Sequence, residues 1–171
     1  MKQTTDILTI AVIGAGYAAR LHGDAYKRVY GASLRLKWII DPDMERAEKL
    51  RASYGYQSAA LDFEQVLNDS EVDVIDICTP PVCHRDMILA ALKAGKHVIC
   101  EKPFTLHLEE FEELIKLAQE KELLLMEAIT NQYLANFTAI KEAVSDIGDI
   151  KIVNINYSQY SSRYDAFKHG E

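Results

Sequence analysis

Two stretches of this sequence combine residue types and spacing that could do chemistry. Gly14-Ala15-Gly16-Tyr17-Ala18-Ala19 has the form G-x-G-x-x-A and directly follows an apolar, β-branched run. In that pattern the first glycine permits a tight turn and the second lets the backbone approach a pyrophosphate. The small third residue lets a helix pack close against a strand. Backbone amides at the start of that helix then face phosphate oxygens without any basic patch. Asp41 closes the next apolar run, roughly 20 residues past the turn, where an acid accepts the hydroxyls of an adenosine ribose. A carboxylate there repels a 2′-phosphate, so the pattern favours NAD over NADP. Enzymes of S-adenosylmethionine also pair a glycine turn with an acid. A glycine turn, or an Asp before Pro42, also occurs for purely structural reasons. The residues alone leave the ligand open.

The second stretch is Glu101-Lys102-Pro103, which follows the apolar run His97-Val98-Ile99-Cys100. A lysine at the carboxyl end of such a strand sits on the edge where open parallel sheets bind ligands. There it could hydrogen-bond a hydroxyl or carbonyl oxygen as hydride moves. An ordinary surface lysine in a turn fits the same three residues.

The elements that must position these groups alternate along the chain. Ile7 to Ile13 reads as a strand, followed by the glycine turn and a helix from about Tyr17 to Val29. Leu34 to Ile40 is a second strand. Met44, Ala47, Leu50 and Tyr54 mark one face of a helix at spacings of three and four. Phe63 to Leu67 is a short helix, and Val72 to Cys78 an apolar strand interrupted by Asp73 and Asp76. Ile88 to Leu92 lie in a helix stopped near Gly95, and His97 to Cys100 form a strand. Leu108, Phe111, Leu114, Ile115 and Ala118 face one side of a long helix before a last strand, Leu123 to Met126. Strand, helix, strand with short connections predicts an α/β fold: a doubly wound, Rossmann-type parallel sheet covered on both faces.

After Glu127 the pattern changes. Phe137, Ile140 and Val144 predict a helix ending near Gly148, and Ile150 to Tyr160 alternates like a long strand with one polar face. That strand needs partners to cover it. The expected organisation is therefore a dinucleotide-binding domain over residues 1–127. Residues 128–171 would be the start of an incomplete substrate and dimerisation domain built on an antiparallel sheet.

Composition narrows the function classes. The net charge of −7 repels nucleic acid and anionic membrane surfaces, so neither is an expected partner. Cys78, Cys83 and Cys100 show no CxxC spacing and read as core residues in a reducing compartment rather than as a zinc site. Lys2 precedes the apolar stretch Ile7 to Ala19, but Asp6, Gly14 and Gly16 break any resemblance to a leader. No run reaches the length of a membrane span, and a cytoplasmic protein is expected.

The segment Ala94-Gly95-Lys96-His97-Val98-Ile99-Cys100-Glu101-Lys102-Pro103 resembles the AGKHVxxEKP signature of the Gfo/Idh/MocA oxidoreductases. Ile77-Cys78-Thr79-Pro80-Pro81 with His84 resembles that family's TPxxxH stretch, and AVIGAGYAARLH its opening. The resemblance implies a nicotinamide-dependent oxidoreductase acting on a hydroxyl of a sugar, polyol or dihydrodiol. Gly14, Gly16, Tyr17 and Ala18 would line the pyrophosphate, and Asp41 would hold the adenosine ribose. Thr79, Pro80 and His84 would form the wall beside the nicotinamide ribose and ring. Glu101 and Lys102 would approach nicotinamide and substrate, with Lys102 catalytic and the Lys102-Pro103 bond a candidate cis peptide. By position alone, His84 fits a cap or packing residue. His22, His97, His107 and His169 carry no pattern of their own, and Glu109, Glu110, Glu112 and Glu113 read as a solvated helix face.

Met126-Glu127-Ala128-Ile129 is similar to the branch of dimeric dihydrodiol and xylose dehydrogenases. Gln132 stands where that branch has an arginine, and Ala135 where it has a proline. Gln132 is therefore a candidate substrate contact. The resemblance also implies a second, acid/base-bearing domain and a homo-oligomer at full length. Residues 1–171 alone are expected to bind dinucleotide poorly or moderately and to turn nothing over. A non-catalytic, dinucleotide-binding regulator, a methyltransferase, and a redox-neutral enzyme retaining its cofactor are the other readings.

Overall fold

The five apolar runs before Glu127 become strands, and a sixth strand joins them. The computed structural model describes residues 7–29, 33–158, 164, 168 and 169. Its strands are β1 (Leu8–Ile13), β2 (Leu34–Ile40), β3 (Ser58–Ala60), β4 (Val74–Ile77), β5 (His97–Cys100) and β6 (Leu125–Glu127). They lie in the order β3-β2-β1-β4-β5-β6, and each neighbouring pair is parallel. Strand order reverses between β1 and β4, so a crevice opens beyond their carboxyl ends. This is the doubly wound fold that the alternation predicts.

The connecting helices are α1 (Tyr17–Val29), α2 (Met44–Tyr54), α3 (Glu64–Leu67), α4 (His84–Lys93) and α5 (Leu108–Glu120). Asp43 starts α2 by accepting from the amides of Glu45 and Arg46, which satisfies donors a helix start otherwise leaves bare. Because strand side chains alternate, the sheet builds two cores. On one face Ala11, Ile13, Ile75, Ile77 and Val98 pack with Ile88, Leu92 and Leu114. On the other Ile10, Val12, Leu36 and Val74 pack with Ala19, Leu50 and Tyr56. Asp76, buried in β4, lies two residues from both Val74 and Cys78 and so faces the same side as α1.

The sequence gives no sign of β3, because Ser58, Ala59 and Ala60 carry none of the bulky β-branched side chains that mark a strand. Its register against Trp38, Ile39 and Ile40 comes from pairing with β2.

Contacts divide the chain into two compact units after Ile129. The second contains a 3-10 turn (Thr130–Tyr133), α6 (Ala135–Ala143) and a further 3-10 turn (Val144–Ile147) ending at Gly148. The expected strand from Ile150 to Tyr160 is corrected here. Residues 150–158 form no strand, and Tyr160 lies outside the described residues. Ile150, Ile152, Ile155 and Tyr157 are exposed. An amphipathic strand forms only when a neighbour supplies ladder hydrogen bonds and covers its apolar face, and none is found among the described residues of this unit.

Candidate dinucleotide site

The glycine turn leaves β1 at the centre of the sheet. Gly14 has φ +95° and its amide donates to Ile40 O at 2.7 Å. A Cβ on Gly14 would stand 2.7 Å from Cys78 O, inside van der Waals contact. Gly16 is different: a Cβ there would meet nothing within 4 Å. That open space at the start of α1 is what a closely approaching phosphate group needs. Tyr17 is exposed, Ala18 half-buried and Ala19 buried, so the turn presents its first residues outward and seats the helix with the last.

A cleft of about 460 Å³ adjoins this turn, lined in part by Gly16, Tyr17, Arg20, Asp43, Arg46 and Lys49. Asp41 is only 6% exposed. Its Oδ2 accepts from the Ala15 amide at 2.7 Å and its Oδ1 from the Asp43 amide at 2.9 Å. The carboxylate ties the glycine turn to the start of α2. The acids on the cleft wall are Asp43 and Glu45.

The opposite end of the crevice is built from two loops. Thr79 is half-buried and Pro80 exposed, ahead of the 3-10 turn Pro81–Cys83. His84 is fully buried. Its Nδ1 lies 2.7 Å from Pro103 O and its Nε2 2.8 Å from Thr79 O. It therefore stands behind the expected wall and braces two of its loops together. The Lys102-Pro103 bond is cis. Beyond it, the Phe104 amide donates to Glu127 Oε1 at 3.0 Å, fastening the turn to β6. Lys102 is exposed and its ammonium makes no hydrogen bond or ion pair among the described residues.

One cluster has no sequence pattern of its own. His22 on α1 places Nδ1 2.8 Å from Asp76 Oδ2 and Nε2 3.2 Å from Glu101 Oε1. The Tyr26 hydroxyl donates to Asp76 Oδ2 at 2.7 Å. Burial works against a charge on His22, but the hydrogen bond and negative charge of Asp76, with those of Glu101, outweigh it. The imidazole pKa is pushed up from 6.5 to about 9. Burial foremost, and then the Asp76 carboxylate, raises the Tyr26 hydroxyl and the Cys78 thiol above their ordinary ranges. Ligand atoms of His22, Asp76 and Cys78 lie within 4.8 Å of one another, close enough to surround a metal ion. Carboxylate oxygens of Asp76 and Glu101 face both ring nitrogens of His22, so without a metal the group is held together as an ion pair. One signal was available in the sequence: a charge inside a buried apolar strand requires a partner, and Asp76 is such a charge.

Gln132 lies on the exposed 3-10 turn of the second unit. Cys78 and Cys100 are buried, Cys83 is half-buried, and all three are free. His97 accepts from the Leu124 amide at 3.0 Å, a structural contact at the far end of the sheet.

Residues 8–129 match the family described as "Oxidoreductase family, NAD-binding Rossmann fold", Gfo/Idh/MocA. The chain belongs to this family. It is 36% identical over 136 residues to scyllo-inositol 2-dehydrogenase (NADP(+)) IolU of Bacillus subtilis (strain 168), covering 80% of this chain and 42% of that protein. It is 29% identical over 139 residues to the myo-inositol 2-dehydrogenase of Thermotoga maritima, covering 81% and 41%. Among solved structures, an NAD-binding oxidoreductase from Klebsiella pneumoniae superposes with a TM-score of 0.75 at 32% identity, covering 82% of this chain and 39% of that one. The chain thus spans about two-fifths of the length of these relatives.

Proposed function

We propose that this chain is the nucleotide-binding part of an NAD(P)-dependent oxidoreductase that oxidises a hydroxyl of a sugar, polyol or dihydrodiol. The observation that carries this reading is the contrast within the glycine turn. Gly14 is required by its own backbone, whereas Gly16 faces open space that the fold itself does not need. The two related inositol dehydrogenases favour a cyclic polyol as substrate.

The residues present fit a dinucleotide. Amides of Gly16, Tyr17 and Ala18, at the positive end of α1, hold the pyrophosphate. Asp41 shapes the ribose end of the cleft by fixing the turn. Thr79 and Pro80 flank the nicotinamide, and Glu101 and Lys102 approach it from the next loop. Bound nicotinamide supplies the hydride acceptor. Lys102 Nζ would donate a hydrogen bond to the alcohol oxygen and steady negative charge there while the hydroxyl proton passes to the acid/base group of the second domain that the resemblance implies. Gln132 is assigned to substrate choice on the family resemblance. Gln132→Arg is expected to change substrate preference and leave dinucleotide affinity unchanged.

NAD is the proposed cofactor, since Asp43 and Glu45 stand on the cleft wall where a 2′-phosphate would meet their charge. One observation favours NADP: Arg20, Arg46 and Lys49 line the same cleft. Parallel NADH and NADPH titrations decide between them, with tighter NADH expected. Thermal stabilisation by S-adenosylmethionine and by neither nicotinamide cofactor would overturn the whole reading.

A small-molecule substrate, a cytoplasmic setting and a homo-oligomer belong to the same proposal. No helix among the described residues is long and apolar enough to cross a membrane.

A further inference from the structure

The His22 cluster joins two elements that the proposed function uses separately. The start of α1 carries Gly16 and Tyr17 of the phosphate end, and His22 lies further along the same helix. Glu101 opens the turn that carries Lys102. Between them stands Asp76, buried in β4, the strand next to β1 at the crevice.

Carboxylates only accept hydrogen bonds. Both ring nitrogens of His22 face carboxylate oxygens, so both contacts are satisfied together only when each nitrogen carries a proton. One positive imidazolium then separates two negative groups that would otherwise repel across a partly buried gap. The groups facing His22 are Asp76 and Cys78 from β4 and its end, Glu101 from the loop after β5, and Tyr26 from α1 itself. Tyr26 donates to Asp76, and Cys78 remains a neutral thiol. The remaining Glu101 oxygen accepts from the Lys102 amide at 3.2 Å, so the carboxylate that His22 grips also holds the backbone of the lysine turn.

We infer that His22 is a positioning residue whose imidazolium clamps Glu101 to Asp76, setting the spacing between the phosphate end of the crevice and the Lys102 turn. The inference rests on the dinucleotide reading for its functional consequence, but the clamp itself does not. Losing the imidazolium leaves Glu101 and Asp76 as facing anions and frees the turn. Binding of an intact nicotinamide dinucleotide then weakens, while binding of ADP, which carries neither the nicotinamide nor the ribose beside it, is retained.

Two measurements on this chain test it. The first is an NMR titration of the His22 ring, which involves no ligand. Titration near pH 9 in the unmodified chain, moving to lower pH in Glu101→Gln, is expected. A His22 ring titrating at the ordinary 6.5, or unmoved by Glu101→Gln, overturns the clamp. The second compares NADH with ADP across the same pH range. NADH affinity is expected to fall about tenfold or more as the imidazolium is lost, as for a misplaced binding group, with ADP nearly unchanged. His22→Gln is expected to show the weakened NADH affinity at every pH, with no inflection. NADH affinity that is flat with pH in the unmodified chain, or an inflection persisting in His22→Gln, contradicts the inference. If neither ligand binds the unmodified chain, the dinucleotide reading fails, and the ring titration still decides the clamp.

Discussion

The fold itself requires a glycine at position 14 but not at position 16. Gly14→Ala places a Cβ 2.7 Å from Cys78 O at a φ of +95°, and is expected to destabilise the chain by about 1–3 kcal/mol. Gly16→Ala meets nothing within 4 Å, so urea denaturation should find its stability nearly unchanged while dinucleotide affinity falls. Equal destabilisation by both would remove the distinction. His84→Ala leaves the Thr79 and Pro103 carbonyls without their shared partner, at a cost of about 1–3 kcal/mol, measurable in the same denaturation series. The turns of this candidate site were legible in the sequence, because glycine spacing and the Glu-Lys-Pro motif reflect backbone constraints. The role of Asp41 was not. Sequence shows that an acid follows β2, but only the folded chain shows its oxygens already accepting from Ala15 and Asp43. His84 was legible as a packing residue, and its two carbonyl partners come from loops that sequence separation conceals.

At the scale of elements, packing of α1 on β4 depends on protonation. His22 has a folded pKa of about 9 against 6.5 unfolded. A raised pKa means the folded state holds its proton more tightly. The stability it contributes is complete below pH 6.5 and is lost as pH rises through about 9. Chemical denaturation at steps across that window should show a decline that His22→Gln lacks. A parallel decline in both proteins would assign it to other groups. Tyr56 presents the opposite case. Its hydroxyl is buried without a hydrogen-bond partner among the described residues. Tyr56→Phe removes an unsatisfied polar group and is expected to raise stability by about 1 kcal/mol, and a loss of stability would reveal a partner. Hydrophobic periodicity located most of the strands and helices of the sheet, since each buries a continuous face. It missed β3, whose three small residues depend on β2 for their register. It also took the alternation after Ile150 for a strand, although alternation records only which face would be buried if a partner were present.

For the whole molecule, the parallel sheet and its reversal between β1 and β4 concentrate the phosphate turn, the Thr79 loop and the Lys102 turn at one edge. On the proposed reading, a chain with net charge −7 would bind an anionic dinucleotide there through helix-end amides rather than through overall attraction. Ligand that binds only the folded state raises stability by about 2.7 kcal/mol at a hundredfold excess over Kd, so NADH should raise Tm in a concentration-dependent way. The most direct test is a calorimetric titration of this chain with NADH, repeated with Gly16→Ala. Saturable one-to-one binding by the unmodified chain, weakened about tenfold or more by a methyl group that blocks close backbone approach to the pyrophosphate, is the predicted result. No saturable binding, or equal affinity in both proteins, would contradict the account.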